Sequence, residues 1–131
     1  MRYLVDSDWV IDVIKGIPSA VEILEQLIAD GVAVSIISFG ELYEGAYGFA
    51  DPDTEIRSIR DSLSRFAILN LTEPTMETFA RLRSLLRRQG SLIPDLDLLI
   101  AATALSYDLT LLTRNRRHFQ RIPDLKLYPS G

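Results

Sequence analysis

The chain has 131 residues, 47% of them hydrophobic, no cysteine and a formal net charge of −4. That length and apolar content suffice for one buried core and argue against a disordered chain. The lack of cysteine excludes disulfides, thiolate zinc sites and cysteine nucleophiles together.

The longest apolar stretch, LLIAATAL from Leu98 to Leu105, falls far short of the roughly 18–20 residues of a membrane span, and the amino terminus shows no signal-peptide pattern. A soluble cytoplasmic protein with no membrane partner is expected. Charge is polarised: residues 1–55 carry a net of −9 and residues 56–131 a net of +5. The acidic average speaks weakly against a broad basic nucleic-acid face, but not against acids gathered around divalent cations, each of which cancels two of them.

In chain order, Arg2 to Val5 reads as a short strand, and Asp6 or Ser7 as the cap of a helix that Gly16 and Pro18 stop. Ser19 and Glu22 have capping-box spacing before VEILEQLIAD, and Gly31 stands where that helix should end. VAVSII reads as a buried strand, with Ser38 and Glu41 repeating the capping-box spacing at the head of a third helix. Pro52 opens a helix through Arg65, AILNL is a strand, and Pro74 starts a long helix from about Thr75 to Gln89, closed by Gly90. SLIPDLD is read as a loop, Asp97 to Tyr107 as a helix, LTLLT as a strand, RNRRHF as a turn or short helix, and KLY as a last strand. Strands alternating with helices, without repeat or linker, imply one three-layer α/β/α domain over residues 1–131, with a parallel sheet covered on both faces.

In open parallel sheets the functional crevice lies beyond the carboxyl ends of the strands. Asp6 follows the first strand, Glu41 lies on the first turn of the helix after VAVSII, and Asn115 comes just past LTLLT. Asp97 reaches the same edge if the SLIPDLD loop returns the chain there. Oxygen-only ligands of this kind suit magnesium or manganese rather than zinc, and such a site can activate water against a phosphodiester. His118 is the only histidine, which excludes a two-histidine ribonuclease mechanism. Plainer roles stay open: Glu41 as the capping partner of Ser38, Asp6 as a helix cap, Asp95 or Asp97 as the cap of the following helix, Asp8 and Asp12 as solvated residues favoured by a helix start, and His118 with its arginines as a solvated turn.

VDSDWVID at the start, SIISFGELYEGA near residue 40, PDLDLLIAATAL near residue 100, and LLTRN followed by Phe119 together resemble the PIN-domain ribonucleases, particularly VapC toxins of toxin–antitoxin pairs. The resemblance runs the full length in order. It implies a PIN fold with a central parallel sheet of about five strands, a magnesium (or manganese) site, cleavage of RNA, often transfer or ribosomal RNA, by metal-activated water, and cytoplasmic action. It also implies a homodimer that joins a cognate VapB-type antitoxin in a heterotetramer or larger assembly, with an antitoxin arginine reaching into the acidic site. Carried over by position, the metal-binding acids fall on Asp6, Glu41 and Asp97. The fourth catalytic position, frequently aspartate in the family, is Asn115, which leaves one fewer charge for a second metal. Ser7 and Thr113 fall where a small hydroxyl residue is common near the site, and Asp8 where asparagine is common. Arg114, Arg116 and Arg117 are candidates for steering the RNA backbone. Exposed apolar positions around Trp9, Ile36, Phe39, Tyr43 and Tyr47 are expected to form the antitoxin groove.

Two other readings are kept. DSDWV fits the DxDx(T/V) signature of haloacid-dehalogenase-type phosphatases, with Asp6 as nucleophile and Asp8 as acid, although Lys15 and Lys126 are the only lysines and neither suits that chemistry. The other is a catalytically weak PIN-like module that only binds partners.

Overall fold

The structure, a computed structural model, describes residues 1–129. Strands β1 (Tyr3–Val5), β2 (Val32–Ser35), β3 (Ala67–Leu69) and β4 (Thr110–Leu112) form one sheet in the order β3-β2-β1-β4, and every pairing is parallel. Helices α1 (Ser7–Ile14), α2 (Pro18–Leu27), α3 (Ile36–Ala46), α4 (Pro52–Leu63), α5 (Glu73–Arg88), α6 (Asp95–Ser106) and α7 (Arg116–Phe119) cover it.

Successive strand residues point to opposite faces, and the core divides accordingly. Val5, Val34 and Leu112 pack with Trp9, Leu24, Leu42 and Ile59 from α1 to α4. Their neighbours Leu4, Ala33 and Leu111 pack with Leu86 of α5, Leu98 and Ala101 of α6 and Phe119 of α7. The three-layer arrangement expected from the sequence is thus observed, with four strands. The expected strand at KLY is reduced to one parallel bridge between Leu111 and Leu127. In that bridge Leu111 N donates to Lys126 O at 2.9 Å and Leu111 O accepts from Tyr128 N at 2.8 Å.

Three helix starts differ from expectation. Pro18 takes the first position of α2 and Ile17 precedes it without a side-chain cap, so Ser19 lies inside the helix. Proline needs no donor partner there and its fixed φ already suits a helix. Ser35, not Ser38, caps α3, its hydroxyl accepting from Ser38 N at 3.0 Å. The strand therefore stops at Ser35, Ile36 and Ile37 belong to the helix, and Glu41 falls in its second turn instead of its first. α6 starts at Asp95 behind Pro94 with no side-chain cap, so neither Asp95 nor Asp97 has that role.

The strand order places the site. From β1 the chain moves one way across the sheet to β2 and β3, then returns to the other side of β1 for β4. Crevices open at such reversals, beyond the carboxyl ends of the two strands. Asp6 N donates to Leu112 O at 2.9 Å, carrying the β1–β4 pairing one step further and pinning the backbone of Asp6 beside the end of β4.

Gly31 starts the β1–β2 pairing: its carbonyl accepts from both Arg2 N and Tyr3 N, each at 3.1 Å. Its φ is +91°, and an added Cβ would stand 2.8 Å from Met1 Cα. Gly31→Ala is therefore expected to destabilise the protein by more than about 1 kcal/mol. Gly40, inside α3 with open space around it, should behave oppositely, its alanine variant gaining about 0.5–1 kcal/mol. Urea unfolding of the two variants checks both signs.

Candidate active site

Asp6 is the N-cap of α1 and follows β1 directly, which turns its side chain from the sheet into the crevice. It is only 5% exposed. One carboxylate oxygen accepts from Ser7 N at 2.8 Å and the other from the Thr113 hydroxyl at 2.7 Å. The second bond joins residues 107 positions apart and exists because β1 and β4 are neighbours.

From Asp6 a run of hydrogen bonds passes along the rim in both directions. Ser7 Oγ donates to Glu41 Oε1 at 3.2 Å, so Ser7 links the first acid to the second through its backbone and its hydroxyl. On the other side Thr113 Oγ1 accepts from Asn115 N at 3.0 Å, and Asn115 Nδ2 donates to Asp97 Oδ2 at 3.2 Å. Asp6, Glu41, Asp97 and Asn115 are therefore brought together, with Ser7 and Thr113 as connecting hydroxyls. Glu41 is not the reciprocal partner of Ser38: its bonded neighbour is Ser7.

The acids feel one another. Burial pushes the Asp6 carboxyl up from 3.8 to about 7, with the charges of Asp8 and Glu41 adding to the rise and the bonds from Thr113 and Ser7 opposing it. Burial also raises Glu41, to which the charges of Asp97 and Asp8 contribute while the Ser7 bond opposes. Asp8 is raised by burial as well, against bonds from Arg114 N and Thr113. A cation among these groups would reverse the sign of each repulsion.

Whether they suit magnesium or manganese can be tested on the donor set. Every available ligand is an oxygen, as those ions prefer. Asp8 Oδ1 is buried with no partner among the described residues, leaving an acceptor without compensation. No three histidine or acidic side chains among the described residues already close on a single ion position. Magnesium, however, keeps several of its waters and commonly takes only one or two carboxylates. The donor set fits such an ion, held through one or two carboxylates with water filling its shell.

The basic residues divide. The Arg114 guanidinium lies 4.0 Å from the Trp9 ring centroid, and its Nε donates to Asp12 Oδ2 at 3.1 Å. Its backbone N–H donates to Asp8 Oδ2 at 3.0 Å, tying the loop after β4 to the start of α1. Arg116 is committed to Tyr128 O at 2.8 Å. Arg117 is exposed and has no ion pair among the described residues. Asp95 pairs with Arg83 at 2.9 Å on the surface, away from the hydrogen-bonded run.

Trp9, expected to line a partner groove, is buried at 2% exposure and belongs to the core beneath α1. An apolar groove of about 410 Å³ lies nearby between α1, α3 and α4, lined by Ile11, Ile14, Leu42, Phe49 and Ile59, and reaching Glu41 at the acidic site. Ile11 and Phe49 stand 40% and 58% exposed.

His118, expected in a solvated turn, instead meets the acidic run. Its Nδ1 stands 2.6 Å from Asp97 Oδ2 and 2.8 Å from Asn115 Nδ2. The only available signal was its place three residues after Asn115, which one turn of α7 converts into adjacency.

Residues 3–125 match the PIN domain family. Ribonuclease VapC2 of Haemophilus influenzae is 38% identical over 128 residues, covering 96% of each chain. VapBC2 from Rickettsia felis, solved bound to a DNA fragment from its promoter, superposes with a TM-score of 0.92 at 30% identity, covering 98% of both chains. DNA-bound VapBC from Salmonella typhimurium superposes with a TM-score of 0.90 at 26% identity over 98% of this chain and 97% of that one. A match of this extent sets aside the haloacid-dehalogenase reading of DSDWV, in keeping with an Asp8 whose Oδ2 is already held by Arg114 N. The fold, the gathered acids and these likenesses agree: the chain belongs to the PIN domain family, on the branch of the VapC ribonucleases.

Proposed function

We propose that this chain is a magnesium- or manganese-dependent endoribonuclease acting in the cytoplasm as the toxin of a VapBC-type pair, with transfer or ribosomal RNA as its substrate class. The observation that carries this reading is the hydrogen-bonded run from Asp97 through Asn115, Thr113, Asp6 and Ser7 to Glu41. Asp6, Glu41 and Asp97 would hold the ion, one or two of them directly and the rest through its waters, and the ion when bound would supply Lewis acidity to the phosphoryl group and activate water. Ser7 keeps Asp6 and Glu41 in register. Thr113 orients Asp6, and Asn115 steadies Asp97 while leaving only its own carbonyl oxygen to face an ion. Arg117, exposed beside the crevice, steers the RNA backbone. Hydrolysis leaves a 5′-phosphate and a 3′-hydroxyl.

The groove ending at Glu41 suits an apolar antitoxin segment, with a basic side chain of that partner entering the acidic site. The toxin itself pairs as a homodimer, joined by antitoxin into a heterotetramer or larger assembly.

Three outcomes follow. Asp6→Asn and Asp97→Asn should each lower divalent-dependent RNA cleavage by roughly 100-fold or more, beyond the cost of losing an outer-shell partner. Asp8→Asn should keep cleavage within about tenfold of the parent, whereas a phosphatase using Asp8 as its acid would lose about 100-fold or more. A timed digest of defined RNA with each variant separates these, and undiminished cleavage by the Asp6 and Asp97 variants would refute the assignment.

The second concerns pH. The folded state holds the Asp6 proton more tightly than the unfolded state does, with a carboxyl at about 7 against 3.8. Stability without divalent ions should therefore fall as pH rises from about 4 to about 7 and level off above. Asp6→Asn should show a shallower slope, keeping only what Asp8 and Glu41 contribute, and melt higher than the parent at pH 8, and manganese should raise the melting temperature of the parent alone. Melting curves across pH that show no difference between the two proteins would contradict it.

The third is Phe49→Ala, which should weaken capture of the product of the adjacent small reading frame by about tenfold without changing the melting temperature. Failure of any adjacent product to bind the parent protein would remove the partner reading.

A further inference from the structure

We propose that His118 is a positioning residue for Asp97: its Nδ1–H fixes one carboxylate oxygen so that the other is presented to a divalent ion. The inference rests on the metal-dependent reading above and extends it to a side chain which that reading does not use.

Three polar atoms meet at Asp97. His118 Nδ1 lies 2.6 Å and Asn115 Nδ2 3.2 Å from the same oxygen, Oδ2. An imidazole lone pair facing a carboxylate oxygen at 2.6 Å would be repulsive, so Nδ1 carries the hydrogen and donates it. Nδ1 also lies 2.8 Å from Asn115 Nδ2, so the imidazole and the carboxamide converge at that oxygen. Oδ2 is thereby occupied by two donors, and Oδ1 is the atom left to meet a cation.

Rigid support completes the arrangement. His118 is on α7, whose next residue, Phe119, is 1% exposed in the core and whose Arg116 is bound to Tyr128 O at 2.8 Å. These contacts hold in place the backbone from which the imidazole reaches Asp97. The imidazole orients the carboxylate through a single N–H. Asn115 contributes in the same sense: an aspartate there could not donate to Asp97 Oδ2 when ionised. The chain trades a fourth negative ligand for a two-donor clamp on the third.

Manganese binding to purified RNA-free protein, measured by titration calorimetry at pH 8, tests the clamp. Asp97→Asn should abolish or severely weaken binding. His118→Ala should weaken it about 10–100-fold. His118→Asn, whose Nδ2–H can take the place of Nδ1–H, should recover most of the affinity. His118→Leu fills the same space without a donor and serves if the alanine variant fails to fold. Parent-like affinity in the leucine variant, or equal losses in the leucine and asparagine variants, would overturn the positioning role. Parent-like affinity in Asp97→Asn would instead overturn the metal reading itself.

Discussion

Asp6 sits almost fully buried where β1 gives way to α1, with one donor for each of its oxygens and two further carboxylates within electrostatic reach. Burying a carboxylate so close to others opposes ionisation, and the fold tolerates it because β1 is locked between β2 and β4. The rest of the crevice depends on that placement. Ser7 extends it to Glu41, and Thr113 extends it to Asn115 and through it to Asp97. A cation is the simplest compensation for such a cluster, and strain of this kind is characteristic of groups kept for chemistry at some expense of stability.

Contacts around this centre have two distinct purposes. Some fix the acids in place: the hydroxyls of Ser7 and Thr113, the Asn115 amide and the His118 imidazole each hold a carboxylate oxygen by a hydrogen bond. Others fix the scaffold. Arg114 spends its charge on Asp12 and Trp9, so a residue that looked suited to RNA instead braces α1 against the loop after β4. Arg116 does likewise with the carboxy-terminal segment. Arginine and lysine side chains are thereby kept off the gathered acids, and Asp6, Glu41 and Asp97 form no ion pair with either among the described residues.

The layered architecture was legible because strands buried on both faces and helices bounded by proline and glycine leave local traces, from Tyr3–Val5 and Val32–Ser35 to Pro52, Pro74 and Gly90. The acids at the strand ends were legible for the same reason, since strand direction sorts them to one edge. Exact caps were not. VAVSII holds four β-branched residues, and Ser35 and Ser38 both suit an N-cap, so a six-residue strand and a four-residue one followed by a helical turn read alike, whereas the structure stops the strand at Ser35 and caps α3 with it. Trp9 is read from sequence as an exposed anchor, but one helical turn places it with Val5 and Leu24 in the core. His118 was invisible because its role depends on Asp97, 21 residues away, and on an α7 too short to announce itself.

The central claim is that the acids share a crevice because a divalent ion belongs among them. Diffraction at the manganese absorption edge, from crystals grown with that ion, tests it most directly. Anomalous density is expected in the crevice, roughly 2.0–2.4 Å from Asp97 Oδ1 and from a carboxylate oxygen of Asp6 or Glu41. A crevice without such density at saturating manganese, with Asp6 still bonded to Thr113 and Asp97 to His118, would contradict it.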